Sequence, residues 1–197
     1  MHRQVAKDVN AGDANTSTLE IGAGTLNHLP YQPIGGQYDI VEPFSEFYQS
    51  SDLLVRINNI YEDIRDVPAD RKYDRIISIA TFEHVCDLPD LVARSGLLLK
   101  PDAQLRVAIP SEGSLFWTLG WKCTTGLEFK LKHGLNYGVL LKYEHVNTAD
   151  EIREILTYFF EAVSCRAFGL SRRLSFYQFL VCSGPRVDRC SRVLVTS

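Results

Sequence analysis

The chain has 197 residues, 45% of them apolar and 23% charged, with a formal net charge of -3. That length suits one α/β domain with a sizeable core, and the composition is that of an ordinary globular chain rather than a disordered one. The slight acidity speaks against a global attraction to nucleic acid. No apolar run approaches the roughly 20 residues needed to span a bilayer, and Met1-His2-Arg3-Gln4 lacks the apolar stretch of a secretory signal. The five cysteines, Cys86, Cys123, Cys165, Cys182 and Cys190, are odd in number and show no paired zinc-like spacing. They imply reduced, buried or incidental thiols and a cytoplasmic protein without a metal site.

Residues 1–17 are polar, with a break at Asn10-Ala11-Gly12-Asp13, and supply at most a short entry helix. Thr18-Leu19 ends a first buried strand, and Glu20-Ile21-Gly22-Ala23-Gly24 turns the chain tightly after it. Two glycines one residue apart let a ligand approach the backbone closely. Tyr38 to Val41 reads as a second strand that ends at the acid Glu42 and stops at Pro43. Residues 44–51 suit a helix. The apolar run Leu53-Leu54-Val55-Arg56-Ile57 and then Asn58-Asn59-Ile60 follow. Tyr73 to Ile79 is a β-branched strand leading into Ala80-Thr81-Phe82-Glu83-His84-Val85. Residues 88–99 repeat Leu and Val at helical spacing, with Leu97 to Asp102 closing the helix, and Leu105 to Pro110 is a further strand. Thr148-Ala149-Asp150-Glu151 is a capping box that opens a helix with Ile152, Ile155, Leu156 and Phe159 on its apolar face. Glu161 to Phe168 and Ser175 to Cys182 read as two last strands joined near Gly169-Leu170-Ser171. The tail 185–197 reads as an extension of a single domain covering 1–184. Alternating strands and helices indicate a mainly parallel sheet covered on both faces.

The glycine turn limits its ligand. A nicotinamide dinucleotide site needs a third glycine for the pyrophosphate, and here Asn27 holds that position. Glu20 is also not where such a site needs an acid. The turn suits a ligand with a positively charged end and no pyrophosphate, which describes S-adenosylmethionine (SAM). Glu42 lies about 20 residues beyond the turn, where a carboxylate can accept both ribose hydroxyls. Leu19 to Gly24, Tyr38 to Pro43, Tyr73 to Val85 and Leu97 to Pro110 together resemble the class I SAM-dependent methyltransferases, most closely their type-11-like small-molecule branch. The resemblance covers roughly the first 110 residues. It implies a Rossmann-like, mainly parallel seven-stranded sheet with helices on both faces and the last strand antiparallel. It also implies SAM as cofactor. Glu20 and the backbone of Gly22, Ala23 and Gly24 would hold the methionine end, and Glu42 with Pro43 the ribose. Asn59 and Ile60 would flank the adenine, although many relatives carry Asp at the Asn59 position. Ala80, Thr81 and the residues up to His84 would form the floor beneath the sulfonium. Thr25-Leu26-Asn27 departs from the more glycine-rich form of the turn.

Residues 111–147 interrupt the alternation and are rich in glycine and aromatics, among them Trp117, Trp121 and Tyr143. Their place after a central strand marks them as an inserted substrate lid. The alternative is a decoration packed on the core or on the second subunit of a homodimer. Methyl transfer gains most from alignment, and a base helps when the acceptor is a hydroxyl or an amine. Glu83, Glu112 and His133 are within range of that role, but His145 with Glu144, just before the capped helix, and His84, after the fourth strand, are the main candidates. Each histidine has a plain packing role as its competing reading. Lys122, Lys130, Lys132 and Lys142 beside aromatics suit a small anionic acceptor, such as a nucleotide-linked or lipid-phosphate-linked sugar of the cell envelope, although a solvated face is the favoured reading of such a run. His2 and His28 carry no functional argument in the sequence. Two further readings stay open: a non-catalytic partner subunit of this fold, and an NAD-dependent oxidoreductase.

Overall fold

The computed structural model describes residues 1–9, 15–111, 146–171 and 174–196. Among these residues seven strands form one sheet: β1 (Ser17–Ile21), β2 (Gln37–Val41), β3 (Asn59–Tyr61), β4 (Tyr73–Ile79), β5 (Leu99–Pro110), β6 (Phe160–Ser171) and β7 (Leu174–Pro185). Their order is β3-β2-β1-β4-β5-β7-β6. Pairs among β1 to β5 are parallel, and β7 runs antiparallel to both β5 and β6. The mainly parallel sheet with an antiparallel last strand is therefore as expected. All five residues of β1 are buried, as a central parallel strand requires. The strand order reverses beside β1, between β2 and β4, and a crevice opens there at the carboxyl ends of the strands.

Among the described residues four α-helices lie around the sheet: α1 (His2–Val5), α2 (Leu88–Leu98), α3 (Ala149–Phe159) and α4 (Val187–Thr196). On one face Leu19, Ile21, Ile76, Leu105 and Val107 pack with Val92 and Ala93 of α2, with Ile152 and Leu156 of α3, and with Cys190 of α4. On the other face Ile40, Ile77 and Ala108 pack with Val5 of α1 and with Leu26 and Leu29 from the β1–β2 connection. The Asp87 carboxylate caps α2 by accepting from Asp90 N at 3.3 Å. That helix stops at Leu98 and Leu99 already begins β5, because Pro101 biases the residue before it towards extended backbone. The expected capping box is formed: Thr148 Oγ1 accepts from Glu151 N at 3.3 Å, and Thr148 N donates to Glu151 Oε2 at 2.7 Å.

Two segments, 44–51 and the tail, take shapes other than those expected. Residues 44–51 form only a 3₁₀ turn over Ser45–Phe47, because Ser51 accepts from Leu53 N and starts a separate 3₁₀ helix, Asp52–Arg56. The apolar run at 53–57 lies mostly in that second 3₁₀ helix, and β3 begins two residues after it. The tail set apart as an extension is α4, whose Cys190 is fully buried. Gly96 allows this close approach, since a Cβ there would sit 2.9 Å from Cys190 Sγ. The proposed lid lies almost wholly outside the described residues. Its two ends are described: Ser111 N donates to Phe176 O, and Val146 N donates to Glu83 O at 2.8 Å.

Candidate functional site

The crevice at the carboxyl ends of β1, β2 and β4 holds a cleft of about 930 Å³, lined by Gly22, Gly24, Glu42, Ala80 and Thr81. The glycine turn is a backbone device. Gly22 has φ +73° and a Cβ on it would lie 2.2 Å from Thr81 Oγ1, so only glycine lets β1 and the end of β4 meet. Gly24 has φ +50°, and a Cβ there would meet no atom within 4 Å. Its side of the turn is the open cradle of the cleft. Ala80 also has positive φ, at 54°, where the chain leaves β4. A left-handed alanine costs about 1–2 kcal/mol, and strain of this kind concentrates at functional turns.

Glu42 directly follows β2 and is buried. Its Oε2 accepts from Gly24 N at 2.8 Å and its Oε1 from Phe44 N at 3.1 Å. The two bonds fix the carboxylate at the cleft and leave each oxygen a further lone pair. Exposed Phe44 and Phe47 follow, with ring centroids 5.6 Å apart. The cleft is acidic: Glu42, Glu62, Asp63, Asp87 and Asp90 line it. Arg65, also in the lining, is engaged by Asp63 at 2.6 Å. Such a surface favours a cationic ligand over a pyrophosphate.

A second lobe of about 380 Å³ adjoins the first and shares Gly22, Gly24, Phe47 and Ala80 with it. Glu20 lies at this lobe with His2 and His28. Glu20 is buried and its Oε2 accepts from Tyr38 Oη at 2.7 Å. Burial pushes its carboxyl up to about 8, against the opposing pull of the Tyr38 hydroxyl and Arg75. It can therefore ionise when a cationic group meets it. Glu83 is likewise buried and pushed up to about 7 by burial.

No protein-family model matches the sequence, and no curated protein sequence matches it. Solved structures do match in fold. One is a SAM-dependent methyltransferase from Thermotoga maritima, at 14% identity and a TM-score of 0.63, over 92% of this chain and 86% of that one. Another is the N-methyltransferase NodS from Bradyrhizobium japonicum, in complex with S-adenosylhomocysteine, at 12% identity and 0.63, over 94% and 86%. A third is phosphoethanolamine N-methyltransferase 2 from Haemonchus contortus, in complex with S-adenosylmethionine, at 12% identity and 0.59; this chain spans about half of its length, 52%. The chain has the fold of the class I SAM-dependent methyltransferases.

Within this methyltransferase fold, most residues singled out in the sequence converge. Gly22, Gly24, Glu42, Pro43, Ala80, Thr81 and His84 line the main lobe. Glu20 and Ala23 line the smaller one. Asn59 and Ile60 line neither lobe. Asn59 Nδ2 donates to Asp39 Oδ1 at 2.9 Å, and Ile60 is exposed. β3 runs on to Tyr61, so the residues delivered to the cleft are Glu62, Asp63 and Ile64. The strand-end rule that located Glu42 would have found them, had residues 59–61 been read as a strand. Phe44, Phe47 and His28 also went unassigned in the sequence. His145 and Glu144 lie outside the described residues.

Proposed function

We propose that this chain transfers a methyl group from S-adenosylmethionine to a hydroxyl or amine of a small molecule. The observation that carries the reading is the acidic cleft at the strand-order reversal, where Glu42 is pinned beside the open face of Gly24. When bound, S-adenosylmethionine supplies a methyl group already activated by its sulfonium. Glu20 would accept from the ammonium of the methionine end and would release its proton to solvent as that cation binds. The free lone pairs of Glu42 would accept from the ribose hydroxyls, and Phe44 and Phe47 would offer an apolar edge to the adenine. Glu62 and Asp63, which line the main lobe, would take the place beside the adenine that the resemblance gave to Asn59 and Ile60. The acidic rim favours the cation, and the lack of a third glycine disfavours a dinucleotide.

His84, in the lining of the main lobe, is a base for the acceptor proton. His145 and Glu144 belong to the same proposal. Support for them is the placement of the next residues: Val146 N and Asn147 N both donate to Glu83 O, and Asn147 Nδ2 donates to Phe82 O and Val85 O at 2.9 and 2.6 Å. These bonds bring the chain that follows His145 against the 82–85 turn beside the cleft. The lid over residues 111–147, the anionic sugar-linked acceptor, the homodimer and the cytoplasmic location are further parts of the proposal.

Titration calorimetry with S-adenosylmethionine, S-adenosylhomocysteine and NAD tests it. Both adenosyl amino acids should bind and NAD should not. Glu42→Ala should weaken S-adenosylmethionine at least about 10-fold, since each bond to a charged group is worth about 1.5–3 kcal/mol. Unchanged affinity in a folded Glu42→Ala variant, or binding of NAD alone, refutes the reading.

A further inference from the structure

His28 is fully buried at the smaller lobe, and among the described residues its Nδ1 has no hydrogen-bond partner. Its protonation pattern follows from a chain of contacts that starts on β4. Arg75 is 3% exposed, and its Nη1 donates to Gln32 Oε1 at 2.7 Å. The guanidinium cannot accept, so the Gln32 carbonyl must face it and the Gln32 amide nitrogen must face the other way. That nitrogen contacts His28 Nε2. An amide nitrogen only donates, so Nε2 accepts and carries no proton. The neutral ring then holds its proton on Nδ1. Burial, with Arg75 and His2 nearby, depresses the His28 pKa to about 3, so the ring is neutral at physiological pH.

The smaller lobe thus contains a buried acceptor, Glu20, and a buried N–H donor without a partner. A buried donor left unpaired is costly, and that cost is recovered when a ligand supplies the acceptor. The His2 ring covers His28, with centroids 5.5 Å apart, and its own Nδ1 is also buried and unpartnered. An acid and an N–H donor in one small lobe match the ammonium and carboxylate of an α-amino acid. We propose that His28 Nδ1–H binds the carboxylate of the methionine end of S-adenosylmethionine, opposite Glu20, and that Gln32 and Arg75 are positioning residues that hold His28 in this tautomer. The inference rests on the cofactor reading above and adds to it the group that recognises the amino-acid end.

The experiment compares two ligands that differ only at that end. S-adenosylhomocysteine carries the amino acid, and 5′-methylthioadenosine lacks it. In calorimetry, His28→Leu should weaken S-adenosylhomocysteine about 10- to 100-fold, the range for a hydrogen bond to a charged group, and leave 5′-methylthioadenosine unchanged. His28→Asn, whose amide nitrogen can replace Nδ1–H, should restore most of the lost affinity. For the wild type, decarboxylated S-adenosylmethionine should bind about 10- to 100-fold more weakly than S-adenosylmethionine, and His28→Leu should no longer distinguish the two. If His28→Leu lowers the affinity for S-adenosylhomocysteine and 5′-methylthioadenosine equally, or lowers neither, the proposal is overturned. If the wild type binds neither ligand, the cofactor reading fails and this inference falls with it. Nitrogen-15 shifts of the His28 ring give a measurement that needs no variant. They should report a protonated Nδ1 and a bare Nε2, and the opposite tautomer refutes the relay.

Discussion

Gly22 and Gly24 sit two residues apart in the same turn, both with positive φ, yet alanine should affect them differently. At Gly22 the new Cβ would lie 2.2 Å from Thr81 Oγ1, 2.4 Å from Thr81 Cγ2 and 2.8 Å from Thr81 Cβ. Thr81 cannot swing away freely, because its hydroxyl donates to Ile79 O at 3.2 Å and its backbone leads off β4 directly after the left-handed Ala80. Left-handed strain of about 1–2 kcal/mol and overpacking of about 1–3 kcal/mol together make Gly22→Ala a loss of about 3 kcal/mol. At Gly24 the Cβ meets nothing, so only the strain remains, about 1–2 kcal/mol. The methyl group instead occupies the cradle of the cleft. Urea unfolding without ligand should therefore rank Gly22→Ala well below Gly24→Ala in stability. Calorimetry on folded Gly24→Ala should show S-adenosylmethionine binding reduced at least about 10-fold, as expected of a steric loss exceeding about 1.4 kcal/mol. Replacing Thr81 by Ala removes the two closest contacts and should recover part of the Gly22→Ala loss. Equal destabilisation by the two glycine variants, or wild-type affinity in Gly24→Ala, would show that the turn is not a ligand cradle.

Two other expectations concern stability. Glu20 and Glu83 stay protonated in the folded chain up to about 8 and about 7, against about 4.5 unperturbed. From pH 4.5 upward the folded state therefore holds more protons than the unfolded state, and stability falls as pH rises through that window. Between pH 7 and 8 the larger share of this loss belongs to Glu20, so Glu20→Gln should flatten the pH dependence of the urea midpoint there. The slope removed is at most about 1.4 kcal/mol per pH unit, and an unchanged slope would contradict the buried neutral carboxyl. Deleting residues 187–197 should lower stability by at least about 3 kcal/mol in the same assay, because Cys190 is fully buried and Val193 and Leu194 pack against the core. An unchanged midpoint would return α4 to the status of an appendage.

Several features could be read locally because local physics determines them. Two glycines after an apolar strand can only form a tight turn. An acid before Pro43 at a strand end can only stand at the carboxyl edge of a parallel sheet. Thr148 and Glu151, three residues apart before an apolar stripe, form a capping box with little help from the rest of the chain. The alternation of strands and helices carried the fold class for the same reason. Long-range packing decided the rest. The register Asp39 with Asn59 turned the Asn59 amide onto Asp39 and carried β3 to Tyr61, which put Glu62 and Asp63 in the cleft. The tail acquired a helical place only because Gly96 leaves room for Cys190. His28 was unremarkable in the sequence. It became a candidate ligand only when Arg75, 47 residues further on, oriented Gln32 against its ring. The tautomer of a buried imidazole depends on which neighbours donate and which accept, and those neighbours are chosen by the fold.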